Sequence, residues 1–307
     1  EVVAVVVTMV DGEPCVLEVN GASRLPAGPL LQGHGSLQAA VRAWAEEQTG
    51  RQLGFLEQLY TFADPGRGGE SRRISVCYLG LTTASASGAR SGVWRRWYEL
   101  FPWEDLRSSS LLLDAIVPRV LAWVSDADGA LRDARAARAA SLFGLNGHPW
   151  EPDLALQRFE LLYEAGLVPE SRSRQTDVVP GRAMELDHRR IVATAIARLR
   201  AKITYRPVVF ELMGPSFTLG QLQGCVEAIA GRAVHTQNFR RLIEQQELSR
   251  RPARWPRRAG VRLGCIASGA RCCSNGRRPE RSCRRPAAGS RAGHSLIVRC
   301  LSHRAGQ

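Results

Sequence analysis

Two neighbouring carboxylates, Glu46 and Glu47, lie near the end of the stretch SLQAAVRAWAEEQTG at residues 36–50. The spacing of its apolar residues predicts a short amphipathic helix, with Ser36 as N-cap and Gly50 just beyond the last turn. Carboxylates three or four residues apart share one face of a helix, and such a set can hold a divalent cation such as magnesium. Glu46 and Glu47 are adjacent, so they can supply only part of such a set. They are the first candidates for chemistry, although a solvated helix face is a sufficient explanation for Glu46.

The elements around this helix predict a sheet that would position it. Apolar, β-branched runs at 2–10 and 15–19 flank Asp11-Gly12-Glu13-Pro14, which is typical of a β-hairpin. A Gly/Pro-rich loop, LPAGPLLQGHG, occupies 25–35 and leads into the helix. Two further strands are predicted after it, FLEQLYTF at 55–62 and ISVCYLGLTT at 74–83.

This order of hairpin, LP-x-G loop, SL-x-x-A helix ending in E-E-x-T-G, and strand resembles the Nudix fold and its signature helix. The family's box carries three carboxylates on that helix, and two registers place it here. Anchoring on Thr49-Gly50 puts Trp44 at the first carboxylate position and Glu47 and Gln48 at the other two. Anchoring on Arg42 instead gives Ala43, Glu46 and Glu47. Neither register has all three acids, and the upstream loop offers Gln32 and His34 where the family has Glu.

The resemblance therefore implies a catalytically degenerate Nudix-like domain that needs no metal. The alternative is a Nudix hydrolase that cleaves a nucleoside-diphosphate derivative such as ADP-ribose or NADH, with Mg²⁺ and with Glu47 as its only retained carboxylate in the first register. A degenerate domain can still bind a nucleotide diphosphate in a cleft beside the helix. The predicted ligand-binding residues are two loop arginines for phosphate, two aromatic residues for a base, and the remaining carboxylate: Arg24, Arg67, Tyr60, Phe62 and Glu47. A core role is an equally good interpretation of Tyr60 and Phe62.

The second half of the chain is predicted to be helical. Apolar residues at helical spacing recur from 109 to 168, where Pro118 is expected to kink or end the first helix. A long amphipathic helix is predicted at 185–206, followed by shorter ones at 217–231 and 235–246. Two short helices joined by a tight connection, the second rich in Gln, Asn and Arg, are typical of a helix-turn-helix.

The C-terminal motifs carry a more specific resemblance. The runs Tyr205-x-Pro207, Phe210-Glu211-Leu212, Phe217-Thr218-Leu219, Leu222-Gln223 and Asn238-Phe239-Arg240-Arg241 resemble the winged helix of the Nudix-related transcriptional regulators of NAD metabolism. The helical insert suggests their alphaproteobacterial branch. The resemblance implies a homodimer that binds a double-stranded, palindromic DNA operator near genes of NAD biosynthesis and salvage. It also implies ADP-ribose or a related NAD metabolite as the small-molecule effector.

Residue chemistry supports DNA binding independently. Phe239, Leu242 and Ile243 are spaced to form the buried face of the second helix, which leaves its polar residues free for base edges or phosphates. Thr218 is a predicted N-cap whose helix start can face a phosphate. The predicted DNA-binding residues are Lys202, Arg206, Thr218, Thr236, Gln237, Asn238, Arg240 and Arg241.

The positive charge of the chain lies in its tail. The net charge is +13, but residues 249–307 hold fifteen Arg and a single acid, Glu280, so the remainder is close to neutral. Five of the eight Cys also lie there, and no C-x-x-C pair occurs among them. Three interpretations stay open for this segment: a translated frameshift, a basic disordered arm that binds nucleic acid, and a zinc module. A β-wing should begin near Glu247-Leu248, where the tail composition starts.

Together these patterns predict an α+β fold, a Nudix-like α/β/α sandwich followed by a helical insert and a C-terminal winged helix-turn-helix. The predicted boundaries are 1–108 for the sensing domain, 109–183 for the insert and linker, 184–248 for the winged helix and 249–307 for the tail. The apolar run EVVAVVVTMV is too short to span a bilayer, so the chain is predicted to be cytoplasmic, with no membrane partner.

Overall fold

The computed structural model describes residues 1–19, 22–64, 73–83, 92–107, 111–172, 177–203, 208–214, 216–237 and 239. Its sheet is mixed, in the order β4-β5-β1-β2-β6, with β3 paired to the start of β1. Strands β1 and β5 run parallel and the other pairs are antiparallel. The strands are β1 (Val2–Val10), β2 (Glu13–Val19), β3 (Ala27–Gly28), β4 (Phe55–Phe62), β5 (Ser75–Leu81) and β6 (Gly92–Arg96).

The predicted β-hairpin is confirmed. Val10 pairs with Glu13 across a two-residue turn, in which Asp11 and Gly12 have φ angles of 51° and 79°. Positive φ at both central positions is the geometry of a type I′ turn, which favours Asp-Gly. The hairpin places β1 in the interior of the sheet, where both of its faces are covered, and this explains its unbroken run of apolar residues.

Seven α-helices are described, together with short 3₁₀ turns at Pro102–Glu104, Pro152–Leu154 and Val208–Leu212. Pro118 does not end a helix as the sequence allowed, because α3 continues through it for seven more residues, to Ser125. The helices are α1 (Leu37–Thr49), α2 (Trp97–Leu100), α3 (Leu111–Ser125), α4 (Gly129–Phe143), α5 (Ala155–Glu164), α6 (His188–Ile203) and α7 (Leu219–Ala230). None of the helices in the described ranges is long and apolar enough to cross a membrane.

The sheet separates two layers of helices, which confirms the predicted sandwich. Alternate residues of β1 point to opposite faces. Val2, Ala4 and Val6 pack with α1 on one face, and their neighbours Val3 and Val5 belong to the large core on the other. That second core includes residues of α2 to α7 and reaches Phe239. The hydrophobic core is therefore continuous from the sheet to the helix-turn-helix region.

His188 connects the start of α6 to the loop before β3. Its imidazole is 3% exposed, and its Nδ1 accepts a hydrogen bond from the Leu25 N–H at 2.9 Å. Burial lowers the pKa of His188 from 6.5 to about 4, since the charged form is poorly solvated there. The imidazole is therefore neutral in the folded protein at neutral pH.

We expect His188 to make the protein less stable as the pH falls from about 6.5 towards 4, because only the unfolded chain then takes up the proton. Between pH 7 and pH 5 the free energy of unfolding should fall by about 2 kcal/mol more for the wild type than for His188→Asn, whose side-chain oxygen can still accept from Leu25. Urea denaturation at several pH values measures this difference. Parallel stability curves for the two proteins would contradict the assignment.

Candidate functional site

The helix that carries the candidate carboxylates has the predicted caps. The Ser36 hydroxyl accepts a hydrogen bond from the Ala39 N–H at 3.1 Å, and Gly50 ends α1 in the left-handed region with φ 68°. Both devices satisfy backbone groups that a helix end leaves unpaired. Arg42 donates to the carbonyls of Leu53 and Gly54, which fixes the chain where it leaves α1.

The face of α1 that meets the preceding loop carries Trp44 and Gln48. The Trp44 indole lies against Gly28 so closely that a Cβ there would overlap the ring, and its Nε1 donates to the Pro29 carbonyl at 2.9 Å. The Gln48 amide accepts from the Ala27 N–H at 3.1 Å and donates to the Ala27 carbonyl at 2.7 Å. Loop and helix are thus joined by an indole and a neutral amide.

This contact involves two positions of the family's box in the first of its two registers. Anchoring on Thr49-Gly50 assigns the first and third carboxylate positions to Trp44 and Gln48, the two residues that face the loop. The same anchor places Gly50 at the observed C-cap. Glu47 is then the one acid that remains in the box.

The side chains present do not fit a magnesium ion between helix and loop. Trp44 and Gln48 carry no charge, and a divalent cation prefers several carboxylate or carbonyl oxygens. Glu46 and Glu47 are exposed, and the Glu46 carboxylate accepts from the Gln52 amide at 3.0 Å. Within the described ranges no three His, Cys, Asp or Glu side chains converge on one point.

The predicted ligand-binding residues are not gathered at one cleft. Phe62 is 5% exposed and belongs to the core on the face opposite α1, so the core interpretation of this residue holds. Tyr60 is 60% exposed and contacts Phe62 edge to face at 5.1 Å. Arg24 is exposed on the loop after β2, and Arg67 lies outside the described residues. A cleft beside Glu47 that includes Phe62 is therefore ruled out by the sheet.

Phe62 instead lines a small, shallow cleft beside the start of α6. The cleft mixes charges of both signs, and its lining includes Asp64, Arg73, Asp187 and His188. The Arg190 guanidinium lies 4.6 Å from the Phe62 ring centroid and pairs with Asp64 and Asp187. The pair with Asp64 joins α6 to the segment just after β4, and the pair with Asp187 lies at the start of α6.

The first helix of the helix-turn-helix begins at a capping box. The Thr218 hydroxyl accepts from the Gln221 N–H at 3.1 Å, and the Gln221 side chain accepts from the Thr218 N–H at 2.8 Å. This confirms Thr218 as the N-cap and satisfies two backbone donors. Helix α7 then ends at Gly231 with φ 71°, which supplies the tight connection predicted between the two helices.

A polar network in α7 holds this connection. The Gln223 amide nitrogen lies within 3.2 Å of the Glu227 carboxylate, the Val234 carbonyl and the Thr236 hydroxyl. Glu227 also accepts from the Val234 N–H at 2.9 Å. The sequence indicated Gln223 only as part of a motif. Its structural role is to tie the turn and the start of the second helix to α7.

The second helix orients its residues as predicted where it is described. Phe239 is 6% exposed and belongs to the core, while Thr236 and Gln237 are exposed. This leaves Gln237 available to an external partner, whereas the Thr236 hydroxyl accepts from Gln223 at 3.1 Å. The other predicted contacts, Arg206, Asn238, Arg240 and Arg241, lie outside the described residues or have undescribed side chains, as do the wing and the tail.

Lys202 has a different environment from the predicted one. Its ammonium pairs with Glu57 of β4, lies 5.4 Å from the Phe55 ring centroid, and is 7% exposed. In this arrangement Lys202 joins α6 to the sheet instead of meeting a DNA backbone. The prediction for Lys202 is wrong for this conformation because a lysine at a helix end can extend across to a neighbouring element.

A buried ion cluster joins Glu104, just after the sheet, to helices α5 and α6. The sequence analysis did not predict it. Glu104 accepts two hydrogen bonds from Arg158, at 2.6 and 2.9 Å, and a further one from Arg200. The side chains of all three are at most 1% exposed. Burial opposes ionisation of Glu104, but the two guanidinium groups outweigh it and hold its pKa below the usual range. The Glu104 carboxyl is therefore ionised inside the core at neutral pH.

The comparisons with known proteins locate a DNA-binding domain in the second half. Residues 209–252 match the family model of the NrtR DNA-binding winged helix domain, which extends four residues into the predicted tail. No match was found among curated proteins.

Several solved structures resemble the chain. NrtR of Shewanella oneidensis, solved with a 27mer DNA, is 20% identical over 80% of this chain and 82% of its own, with a TM-score of 0.47. The Nudix domain of the same protein, solved with ADP ribose, is 25% identical over 32% of this chain and 72% of its own, with a TM-score of 0.29. A MutT/nudix family protein from Enterococcus faecalis is 16% identical over 80% and 79%, with a TM-score of 0.46. Residues 209–252 are thus similar to the NrtR DNA-binding winged helix domain, and they follow the mixed sheet and its helices in the chain.

Proposed function

We propose that this chain is a transcriptional regulator of genes for NAD biosynthesis or salvage, and that its Nudix-like domain senses a nucleotide effector instead of cleaving it. The observation that carries the proposal is the match of residues 209–252 to a DNA-binding winged helix. The geometry of α7, its capping box and the Gly231 turn agree with a helix-turn-helix. The boundary between insert and winged helix near residue 184 remains part of this proposal.

The effector class follows from two further observations. Trp44 and Gln48 occupy the face where the Nudix box has acids, which favours binding over metal-assisted hydrolysis. The Nudix domain of Shewanella oneidensis NrtR has been solved with ADP ribose. ADP-ribose or a related NAD metabolite is accordingly the proposed effector, and the operator-bound state is proposed to be a homodimer in the cytoplasm.

The test uses the full-length chain and separates the parts of the proposal. A duplex is first selected by the protein from a randomised DNA library, and its affinity is measured by fluorescence anisotropy with and without ADP-ribose. We expect an enriched palindromic sequence and a change of operator affinity of about 5–150-fold with ADP-ribose, the usual range of allosteric coupling. Selection of no sequence would refute the DNA reader, and an operator affinity that ignores ADP-ribose, NAD and NADH would refute the sensor.

Hydrolysis is measured on the same preparation. We expect no release of AMP from ADP-ribose or NADH in the presence of Mg²⁺. If AMP is released, the variant Glu47→Gln decides whether the remaining acid of the box is responsible. Activity that Glu47→Gln abolishes would establish the hydrolase alternative.

A further inference from the structure

The end of α7 is attached to the sheet domain and to α6 by three hydrogen bonds. The Tyr98 hydroxyl donates to the Ala228 carbonyl at 2.6 Å, and Arg200 donates through Nε to the Ile229 carbonyl at 2.8 Å. The Leu106 N–H donates to the Gly231 carbonyl at 2.7 Å. The last carbonyls of a helix have no partner within the helix. Here the sheet domain and α6 supply those partners, so the end of α7 has a fixed position on them.

At Gly231 the end of α7 lies very close to the sheet domain and to α6. A Cβ on this residue would overlap the Glu104 carbonyl oxygen and would come within 2.8 Å of an Arg200 guanidinium nitrogen and 3.0 Å of the Tyr98 hydroxyl. Its φ of 71° also lies in the region that favours glycine. The residue is required both for the turn and for the close approach of the two backbones.

The same contacts are linked through α7 to the start of the second helix of the helix-turn-helix, called the reading helix below. Arg200 binds the Glu104 carboxylate and, at 3.1 Å, the Glu104 carbonyl. The same guanidinium donates to the Ile229 carbonyl of α7, so the end of α7 contacts the charged cluster. From α7, Gln223 reaches the Thr236 hydroxyl at the start of the second helix. The contacts of Glu104 and Arg200 with the end of α7 and the contact of Gln223 with Thr236 are therefore linked through the body of helix α7.

We infer that Tyr98, Glu104 and Arg200 are positioning residues for DNA binding, because they hold the end of α7 and thereby set the orientation of the reading helix on the sheet domain. None of them lies on the second helix, and all act through α7. The inference rests on the proposed function for the DNA it concerns. Operator affinity should accordingly depend on residues that do not contact the DNA themselves.

The first experiment compares Gly231→Ala with Gly144→Ala in the full-length protein. Gly144 ends α4 with φ 64°, and a Cβ there leaves 3.4 Å to its nearest neighbour. Both substitutions place alanine in the left-handed region, but only the one at Gly231 forces the sheet domain and α7 apart. We expect operator affinity to fall about tenfold in Gly231→Ala and to stay within twofold of wild type in Gly144→Ala.

The second experiment removes one hydroxyl and keeps the ring. Tyr98→Phe deletes the donor to Ala228, and Tyr78→Phe serves as the control because its hydroxyl lies 3.4 Å from Gln58 within the sheet. Hydrogen exchange at the Leu106 amide reports directly on the contact with Gly231. In Tyr98→Phe we expect at least threefold faster exchange at Leu106, about threefold weaker operator binding, and ADP-ribose affinity within twofold of wild type. Tyr78→Phe should match wild type in all three.

The outcomes separate this inference from the proposed function. If the wild type selects no operator, the proposed function fails, and Leu106 exchange alone decides whether the contact exists. If the wild type binds its operator, but Gly231→Ala or Tyr98→Phe binds equally well despite faster exchange at Leu106, positioning is refuted. Unchanged exchange at Leu106 in both variants would refute the attachment itself.

Discussion

Replacing Glu104 by Gln is expected to lower the free energy of unfolding by about 3–5 kcal/mol, because it leaves Arg158 and Arg200 buried without their counter-charge. Both guanidinium groups are at most 1% exposed, so water cannot replace the lost carboxylate. Urea denaturation at pH 7 measures the change. No single surface ion pair of this protein should have an effect of that size.

The matched control is Glu164→Gln. Glu164 pairs with Arg138 at 2.8 Å, and both side chains are about half exposed (46% and 45%). We expect this substitution to cost less than about 1 kcal/mol, as is usual for exposed ion pairs. Equal stability losses in the two variants would show that Glu104 is not the centre of a buried charge cluster.

Replacing Arg240 and Arg241 together by Ala is expected to weaken operator binding at least 100-fold. A well-placed arginine contact with a base edge contributes about 1–3 kcal/mol, and a phosphate contact adds an electrostatic term. Anisotropy titrations at several salt concentrations measure both effects. The control is Arg132→Ala, since Arg132 is exposed on α4, far along the chain from the reading helix.

The single variants distinguish the two kinds of contact. An arginine on a base edge should lose discrimination against one altered base pair, whereas one on a phosphate should weaken all duplexes alike and reduce the salt slope by about one. Competitor DNA suppresses non-specific binding by the Arg-rich segment at 253–307. Retention of full affinity and specificity in the double variant would exclude this helix as the reader.

Local sequence rules were sufficient to predict the turns and helix ends whose geometry depends on residues close together in the chain. The Asp11-Gly12 turn, the Ser36 and Gly50 ends of α1 and the Thr218 cap are each fixed by residues within a few positions. For that reason the amino-acid sequence alone predicts the hairpin, both ends of helix α1 and the start of helix α7 at their observed places in the chain.

The site could be predicted less well because its contacts join distant segments. Trp44 lies against Gly28, sixteen residues earlier in the chain, and no local pattern indicates this contact. The sequence leaves Phe62 open between base stacking and a core role, because it does not show which face of the sheet is covered. Lys202 was predicted to contact DNA. Its ion-pair partner, Glu57, lies 145 residues away in the sequence, so no local pattern could indicate this pairing. Periodicity reports which face of an element is apolar, but not what packs against it.

One feature of the sequence does indicate a buried ion pair. Arg200 lies on α6 at helical spacing from Ile196 and Ile203, on the apolar face of the helix, and both neighbours are buried. A cation on the buried face of a helix requires a buried acid. The identity of that acid could not be deduced, since Glu104 lies 96 residues away and nothing local marks it.

The charged cluster under α7 has a consequence for the response of the protein to pH. Arginine keeps its proton at every physiological pH, and the pKa of Glu104 is held below the range in which carboxyl groups ordinarily titrate. Moderate acidification or an alkaline medium should therefore leave the charges of the ion cluster unchanged. The contact between α6, Glu104 and the end of α7 should therefore not change with acidity, in contrast to the contact between His188 and Leu25.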